Sequence, residues 1–324
     1  MLRYWPVRKR AGHLVSMALS ARLALVTLVI GCSPRVIDAV IADETCCTDG
    51  GGGDVKEAAT PASDVSDAPV RHLIHRYSFA GLFGETSVKD TGVMGGANAN
   101  IYNASLSGTG FVALPGGLNT TQTPAYVDLP NFLISRLQQA TLEIWVSWTG
   151  TGGEWQRVFD FGEDISGADL DAAPRIMDPN DHTRDGRSYL YMTPMSGAAA
   201  TPPSVLRLAY LKPEDAVPRM SGVTTREPEI SDTQALATGL RQIDVTIDGQ
   251  SMSLFVQGTP VGRTQLTGTL ADIYDVNCWL GRSQYPADPL FAGNIHDFRI
   301  YDAALTPDQI RRNGSAGAGQ PAVE

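Results

Sequence analysis

Apolar and polar positions alternate with a period of two through most of this chain, the signature of strands with one face against a core. Leu142, Ile144, Val146 and Trp148 alternate with Glu143, Trp145 and Ser147, which predicts a central strand whose second face is only half covered. Ile243, Val245 and Ile247 alternate with Asp244 and Thr246. Asp248-Gly249 then supplies residues that tolerate positive φ, and Met252, Leu254 and Val256 run back, predicting a β-hairpin. Shorter runs at Leu73–Phe79, Ala125–Pro130, Trp155–Gly162, Tyr189–Thr193 and Leu206–Tyr210 extend the series at spacings typical of a sandwich. Pro115-Gly-Gly117 reads as a turn. Near the end, a dense aromatic loop (Trp279, Tyr285, Phe291) leads into a strand in which His296, Phe298 and Ile300 alternate with Ile295, Asp297, Arg299 and Tyr301. Thr306-Pro-Asp-Gln309 has an N-cap threonine, a proline in the first helical position and a glutamine three residues on, which predicts a short C-terminal helix.

Composition agrees with an all-β reading: 33 glycines and 20 prolines suit many short strands and turns. The ends differ from the middle. Met1 to Gly31 has five basic residues, no acid, and the apolar run Leu23–Ile30 before Gly31-Cys32. That run is shorter than the roughly 20 residues of a membrane span, and it fits a secretory signal. Val29-Ile-Gly-Cys32 resembles the bacterial lipobox, which implies cleavage before Cys32 and lipidation of its thiol. Ser33 in the next position implies, by the enteric sorting pattern, an outer-membrane, cell-surface address. Residues 32–70 hold Gly50–Gly53, an Ala/Ser/Thr/Pro/Asp mixture and no aromatic residue, so they are expected to form a disordered tether. Cys46-Cys47 reads as an incidental pair within that tether, and Cys278 as a buried free thiol. Beyond Asn313 the Gly/Ala/Pro-rich tail is expected to be disordered.

Loss of residues 1–31 would leave 20 basic against 35 acidic groups. So acidic a surface repels a nucleic-acid backbone, which excludes that class of partner.

Trp279-Leu-Gly-Arg-Ser-Gln-Tyr285, then Phe291-x-Gly-x-Ile-x-Asp-Phe-Arg-Ile-Tyr-Asp-x-Ala-Leu-Thr306, resembles the closing segment of LamG-like jelly-roll domains of the concanavalin A-like lectin/glucanase superfamily. The resemblance covers roughly His72 to Arg312. It implies a two-sheet antiparallel jelly-roll sandwich over residues 71–312, with the short helix at its end and no second domain. The paired-acid signature of the glucanases, Glu-x-Asp-x-x-Glu on one strand face, is absent, as are Gly-x-Ser-x-Gly, His-Glu-x-x-His and a phosphate-cradling glycine loop. The expectation is therefore a non-catalytic protein. Carbohydrate binding is the function the resemblance favours, with a protein-binding adhesion or scaffold module as the alternative.

Sugars stack their apolar faces on aromatic rings and hydrogen-bond rim polar groups. Trp155 and Tyr285 are the aromatic candidates, with Asp164 and Asp169 in the long Asp-rich loop that opens at Glu163. Trp145, Trp148 and Trp279 read as core, and His72 and His75 as solvent-facing. The resemblance also implies a structural Ca²⁺, for which Asp90 and Asp297 are the side chains by position. An ion pair of Asp297 with Arg299 or Arg282 is the ordinary alternative.

Overall fold

The computed structural model describes residues 73–121, 123–164, 186–215 and 227–320. The signal, Cys32, the tether with Cys46-Cys47, His72 and Asp169 lie outside the described residues.

Among the described residues, fifteen strands form two antiparallel sheets. The first contains β1 (Leu73–Tyr77), β4 (Val112–Leu118), β6 (Ala140–Trp148), β11 (Gly239–Ile247), β12 (Ser251–Val256), β13 (Thr259–Gln265) and β15 (Pro289–Tyr301). Its order is β1-β15-β6-β11-β12-β13, with β4 also paired to β15. The second is ordered β10-β9-β8-β7-β14-β5-β3-β2, built from β2 (Ser87–Val88), β3 (Ala99–Tyr102), β5 (Tyr126–Leu129), β7 (Phe159–Asp164), β8 (Gly186–Thr193), β9 (Arg207–Leu211), β10 (Glu229–Ser231) and β14 (Asn277–Leu280). Their inner faces meet in one core that includes Ile144, Val146, Phe159, Phe161, Leu190, Met192, Ile243, Val245, Leu280, Phe298 and Ile300. The all-β sandwich with a short C-terminal helix is what the alternation and the resemblance led us to expect.

Four local readings change. Asn277–Leu280 is a strand rather than loop, paired with β7 on one side and β5 on the other. Four residues are too few to show a period, yet Cys278 and Leu280 do enter the core while Trp279 faces out. Pro115-Gly-Gly117 lies inside β4, paired to Ala292 and Leu290 of β15. Gly116 and Gly117 both take positive φ, and proline is tolerated because β4 pairs along one side only. A register shift between Ile295 and Asp297 places Ile295 in the core with Phe298 and Ile300, where simple alternation put it on the opposite face. Finally β13 was not anticipated. It follows a two-residue turn at Gln257-Gly258, both at positive φ, and carries almost no buried side chain to mark it.

The second face of β6 is sealed rather than half covered, because helix α1 (Pro307–Ala316) folds back over the first sheet. Thr306 caps it as expected, accepting from the Gln309 amide. The helix runs one turn past Arg312, however, and residues up to Gln320 pack on the sheet. Asn313 is buried, Gly319 N–H donates to Asp297 (2.9 Å) and the Gln320 carbonyl accepts from Arg299 (2.6 Å). The disordered tail expected from Asn313 onward is thus displaced by a docked end that satisfies buried charge.

That charge forms a row across the sheet. Arg76 pairs with Asp297 (3.0 Å), and Arg299 with both Asp297 (2.9 Å) and Glu143 (3.1 Å). Glu143 also accepts from Trp145 Nε1, the Tyr301 hydroxyl and Asn313 Nδ2, each at 2.9 Å. Asp244, opposite Glu143 on β11, is pushed well above the usual carboxylate range by burial and by the Glu143 charge. Its neutral form leaves two guanidinium groups facing two carboxylates. A buried ion pair costs much more when one partner is removed than it contributes as a whole. Glu143→Ala is therefore expected to lower the unfolding free energy by about 3–5 kcal/mol, measured by denaturant titration.

Candidate functional site

The outer face of the second sheet differs in chemistry from the first. On β8, Leu190 and Met192 point into the core, so Tyr189 and Tyr191 point outward. On β9, Leu208 and Tyr210 go inward, leaving Arg207, Ala209 and Leu211 outside, and on β7 Phe159 and Phe161 go inward and Asp160 outside. Two of these outward residues, Tyr191 and Asp160, lie against Arg157, in the segment leading into β7. The guanidinium lies 3.9 Å from the Tyr191 ring centre, 5.8 Å from Trp155 and 6.0 Å from Tyr285. It pairs with Asp288 at 2.7 Å and Asp160 at 3.4 Å, and donates to the Trp155 carbonyl at 2.7 Å. A second guanidinium, Arg207, approaches Trp155 to 5.8 Å and pairs with Glu229 at 2.9 Å.

Two features hold the aromatic rings in place. Trp155 adopts φ +63°, a left-handed conformation that costs a non-glycine residue of order 1 kcal/mol or more. Its amide donates to the Met195 carbonyl at 2.8 Å, so bonds at both backbone ends maintain that conformation. Tyr285 stands on the segment Gly281–Asp288, which Asn119 clamps: its Nδ2 donates to the carbonyls of Ser283 (3.0 Å) and Tyr285 (3.2 Å), and its Oδ1 accepts from Arg282 (3.0 Å). The Tyr285 ring meets Tyr189 edge-on at 6.0 Å. Alongside, Arg282 covers Tyr126 (4.6 Å) and Trp279 (4.7 Å), and Tyr102 stacks on Tyr126 at 5.1 Å.

Of the sequence candidates, the structure brings Trp155 and Tyr285 into one patch through Arg157. Both are half-buried. Asp164 is buried at the end of β7, opposite Gly186, whose carbonyl is 3.5 Å from the Tyr285 hydroxyl. Trp145, Trp148 and Trp279 are all buried, but only Trp148 of the three joins the main core; Trp145 lies on the sealed outer face of β6, donating to Glu143, and Trp279 in an outer cluster with Tyr126. Cys278 is a buried free thiol. Arg157, Tyr189, Tyr191, Arg207 and Glu227 were missed. The aromatic/aliphatic alternation of Tyr189-Leu-Tyr-Met192 was the available signal for the two tyrosines.

Asp90 and Asp297 lie on either side of Arg76. Asp90 accepts from the amides of Arg76 and Gly92 at 3.0 Å and pairs with His75 at 2.8 Å, while Asp297 takes the Arg76 guanidinium. His75 is thereby buried, not solvent-facing, because Asp90 partners its ring. Asp297 does pair with Arg299, as the ion-pair alternative had it. Among the described residues no three His, Cys, Asp or Glu side chains gather as a ligand set for a metal ion.

Burial governs the electrostatics of the patch. It raises Glu227 above its usual range, against the hydrogen bond from Tyr189 (3.1 Å), and Tyr191 reaches the same carboxyl oxygen at 3.4 Å. Burial pulls Arg157 down, but Asp288, Tyr191 and Asp160 more than offset it, so the group stays charged. Burial likewise lifts Asp160 from 3.8 to about 7, against the opposing pull of Arg157 and of the Gln284 amide (3.0 Å). The folded protein therefore binds the Asp160 proton more tightly than the unfolded chain does. The resulting stability is complete below pH 3.8 and is lost as pH rises through about 7. Asp160→Asn is expected to flatten that part of the pH–stability curve, measured by denaturant unfolding at a series of pH values; an unchanged slope would contradict the assignment.

Residues 217–311 match a family model described as the Concanavalin A-like lectin/glucanases superfamily. No curated protein matches the chain. Among solved structures, the crystal structure of HCR/D-Sa-GBL1/C is similar at 11% identity and a TM-score of 0.51, over 76% of this chain and 52% of that one. Domain 4 of AbnA, a GH43 extracellular arabinanase from Geobacillus stearothermophilus solved with arabinotriose, gives 14% identity and a TM-score of 0.48, over 75% and 98% of the two chains. The CBM40 of Ruminococcus gnavus IT-sialidase gives 13% and 0.42, over 63% and 96%. At such identities a structural likeness speaks to fold alone. The family match over residues 217–311, together with the two-sheet sandwich, bears out the resemblance to the concanavalin A-like lectin/glucanase superfamily.

Proposed function

We propose that this chain is a non-catalytic, lipid-anchored surface protein that binds carbohydrate on the outer face of its second sheet. The observation that carries the reading is the patch around Arg157. Trp155 and Tyr285 are half-buried rings fixed by backbone clamps, with Asp288 and Glu229 at the rim. Rings held rigidly lose little entropy when a sugar face stacks on them, and rim carboxylates accept from its hydroxyls. The superfamily match over residues 217–311 is consistent with this reading.

Two things favour binding over hydrolysis. Glycoside hydrolysis needs a carboxylic acid that can reach the glycosidic oxygen, opposed by a second carboxylate. Asp160 has a suitably raised pKa, but it is fully buried beneath Arg157 and the Gln284 amide, out of reach of a substrate. The paired-acid sequence signature is also missing.

For the anchor, the support is the lipobox-like Val29-Ile-Gly-Cys32 after a basic, apolar segment. No helix among the described residues is long and apolar enough to cross a membrane. Acyl chains on Cys32 would contribute about 0.8 kcal/mol per buried methylene to membrane attachment.

A glycan array followed by titration of the full chain tests the binding reading. A bound glycan is expected whose affinity falls about tenfold in Trp155→Ala and in Tyr285→Ala, equivalent to ~1.4 kcal/mol for a lost aromatic contact. Absence of binding across a broad panel sinks it, and release of new reducing ends from a bound glycan would make the protein an enzyme. Growth with a labelled fatty acid tests the anchor: label is expected on the intact chain and none on Cys32→Ser, whereas equal labelling of both would rule it out.

A further inference from the structure

Among the described residues at the centre of the patch, the guanidinium groups of Arg157 and Arg207 are sealed while the carboxylates of Asp288 and Glu229 reach the surface. Arg157 has 2% of its side chain exposed and Arg207 8%, against 17% for Asp288 and 34% for Glu229. Each guanidinium is also already engaged. Arg157 spends Nη2 on Asp288 and Nη1 on the Trp155 carbonyl, with Nε facing Asp160. Arg207 spends Nη1 on Glu229 and Nη2 on the carbonyls of Thr201 and Pro202 at 3.1 and 3.2 Å. Glu227, behind them, holds the hydroxyls of Tyr189 and Tyr191. At the edge of the face Arg187 is half exposed, but it stands 3.6 Å from Glu163.

We infer that the glycan taken by this face is electrically neutral: the patch receives uncharged sugar hydroxyls and turns away uronate or sialate carboxylates. The inference rests on the binding reading above and narrows its ligand class. An incoming carboxylate would meet Asp288 and Glu229 first, with both arginines beneath them sealed and already ion-paired, so it would lose its water without gaining a free counter-ion. A neutral sugar meets the same two carboxylates as acceptors for its hydroxyl donors, and the Trp155 and Tyr285 rings as stacking surfaces. Discrimination here comes from a repulsive element, not only from attractive contacts.

The test uses the full chain and, for each backbone that binds on an array, the uncharged oligosaccharide beside the same oligosaccharide carrying a glucuronic or sialic acid. The neutral form is expected to bind at least about tenfold more tightly. Its Kd should change less than about twofold between roughly 50 and 500 mM NaCl, since no net ligand charge is there to screen. Glu229→Gln, which removes an exposed carboxylate and frees Arg207, should narrow the preference by about fivefold or more. A preference for the acidic form, or an affinity that falls about tenfold with salt, overturns this inference and leaves carbohydrate binding standing. An unchanged preference in Glu229→Gln overturns it as well. If neither form of any backbone binds, the binding reading fails, and this one with it.

Discussion

The contact between Phe298 and its neighbours on both sheets is the point on which the sandwich turns. Phe298 stacks on Tyr77 of β1 at 6.3 Å and meets Phe161 of β7 edge-on at 5.9 Å, joining the layers through one ring. Its strand, β15, pairs with β6 along one side and with β1 and β4 in succession along the other. The register shift near His296 lets Ile295, Phe298 and Ile300 all face inward. Pulling a large apolar surface from water is the main favourable term in folding, and here that surface is aligned by the strand that arrives nearly last in the chain.

With the inner faces committed to packing, the outer faces are free to differ. The first sheet is closed by α1 and the docked residues after it, which cover a row of charge running from Arg76 through Arg299 and Glu143 to Asp244. The second carries arginines laid across tyrosine and tryptophan rings. The same rule of buried charge operates on both faces, since each guanidinium has a carboxylate, carbonyl or aromatic partner. On the second face half-buried rings and partly exposed carboxylates occur together, and that combination makes it the candidate site.

What could be read from the sequence was whatever repeats locally. The alternation of β6, the Asp248-Gly249 hairpin and the Thr306–Gln309 cap are written within a few residues, and each is found in the structure. β14 escaped because four residues show no period, and β13 because its side chains are mostly exposed. The helix past Arg312 was hidden by a Gly/Ala-rich composition that looks disordered until Asn313 is seen bonding Glu143 170 residues away. Trp155 and Tyr285 could be named as exposed aromatics, but not the arginine that joins them. Contacts such as Arg157 to Asp288 or Asn119 to Ser283 depend on strand order, which no local pattern encodes.

The position of β1 has a mechanical meaning. It is the edge strand of its sheet and the first described element of the chain, so a pull applied at Leu73 is carried first by this strand. The first bonds to bear the load are the short ladder from Leu73–Tyr301 to Tyr77–Phe298, with the Arg76–Asp297 ion pair beside it. The outer-face patch lies on the other sheet, on strands that share no hydrogen bond with β1. Peeling β1 from the edge of its sheet would therefore break no hydrogen bond of β7, β8 or β9.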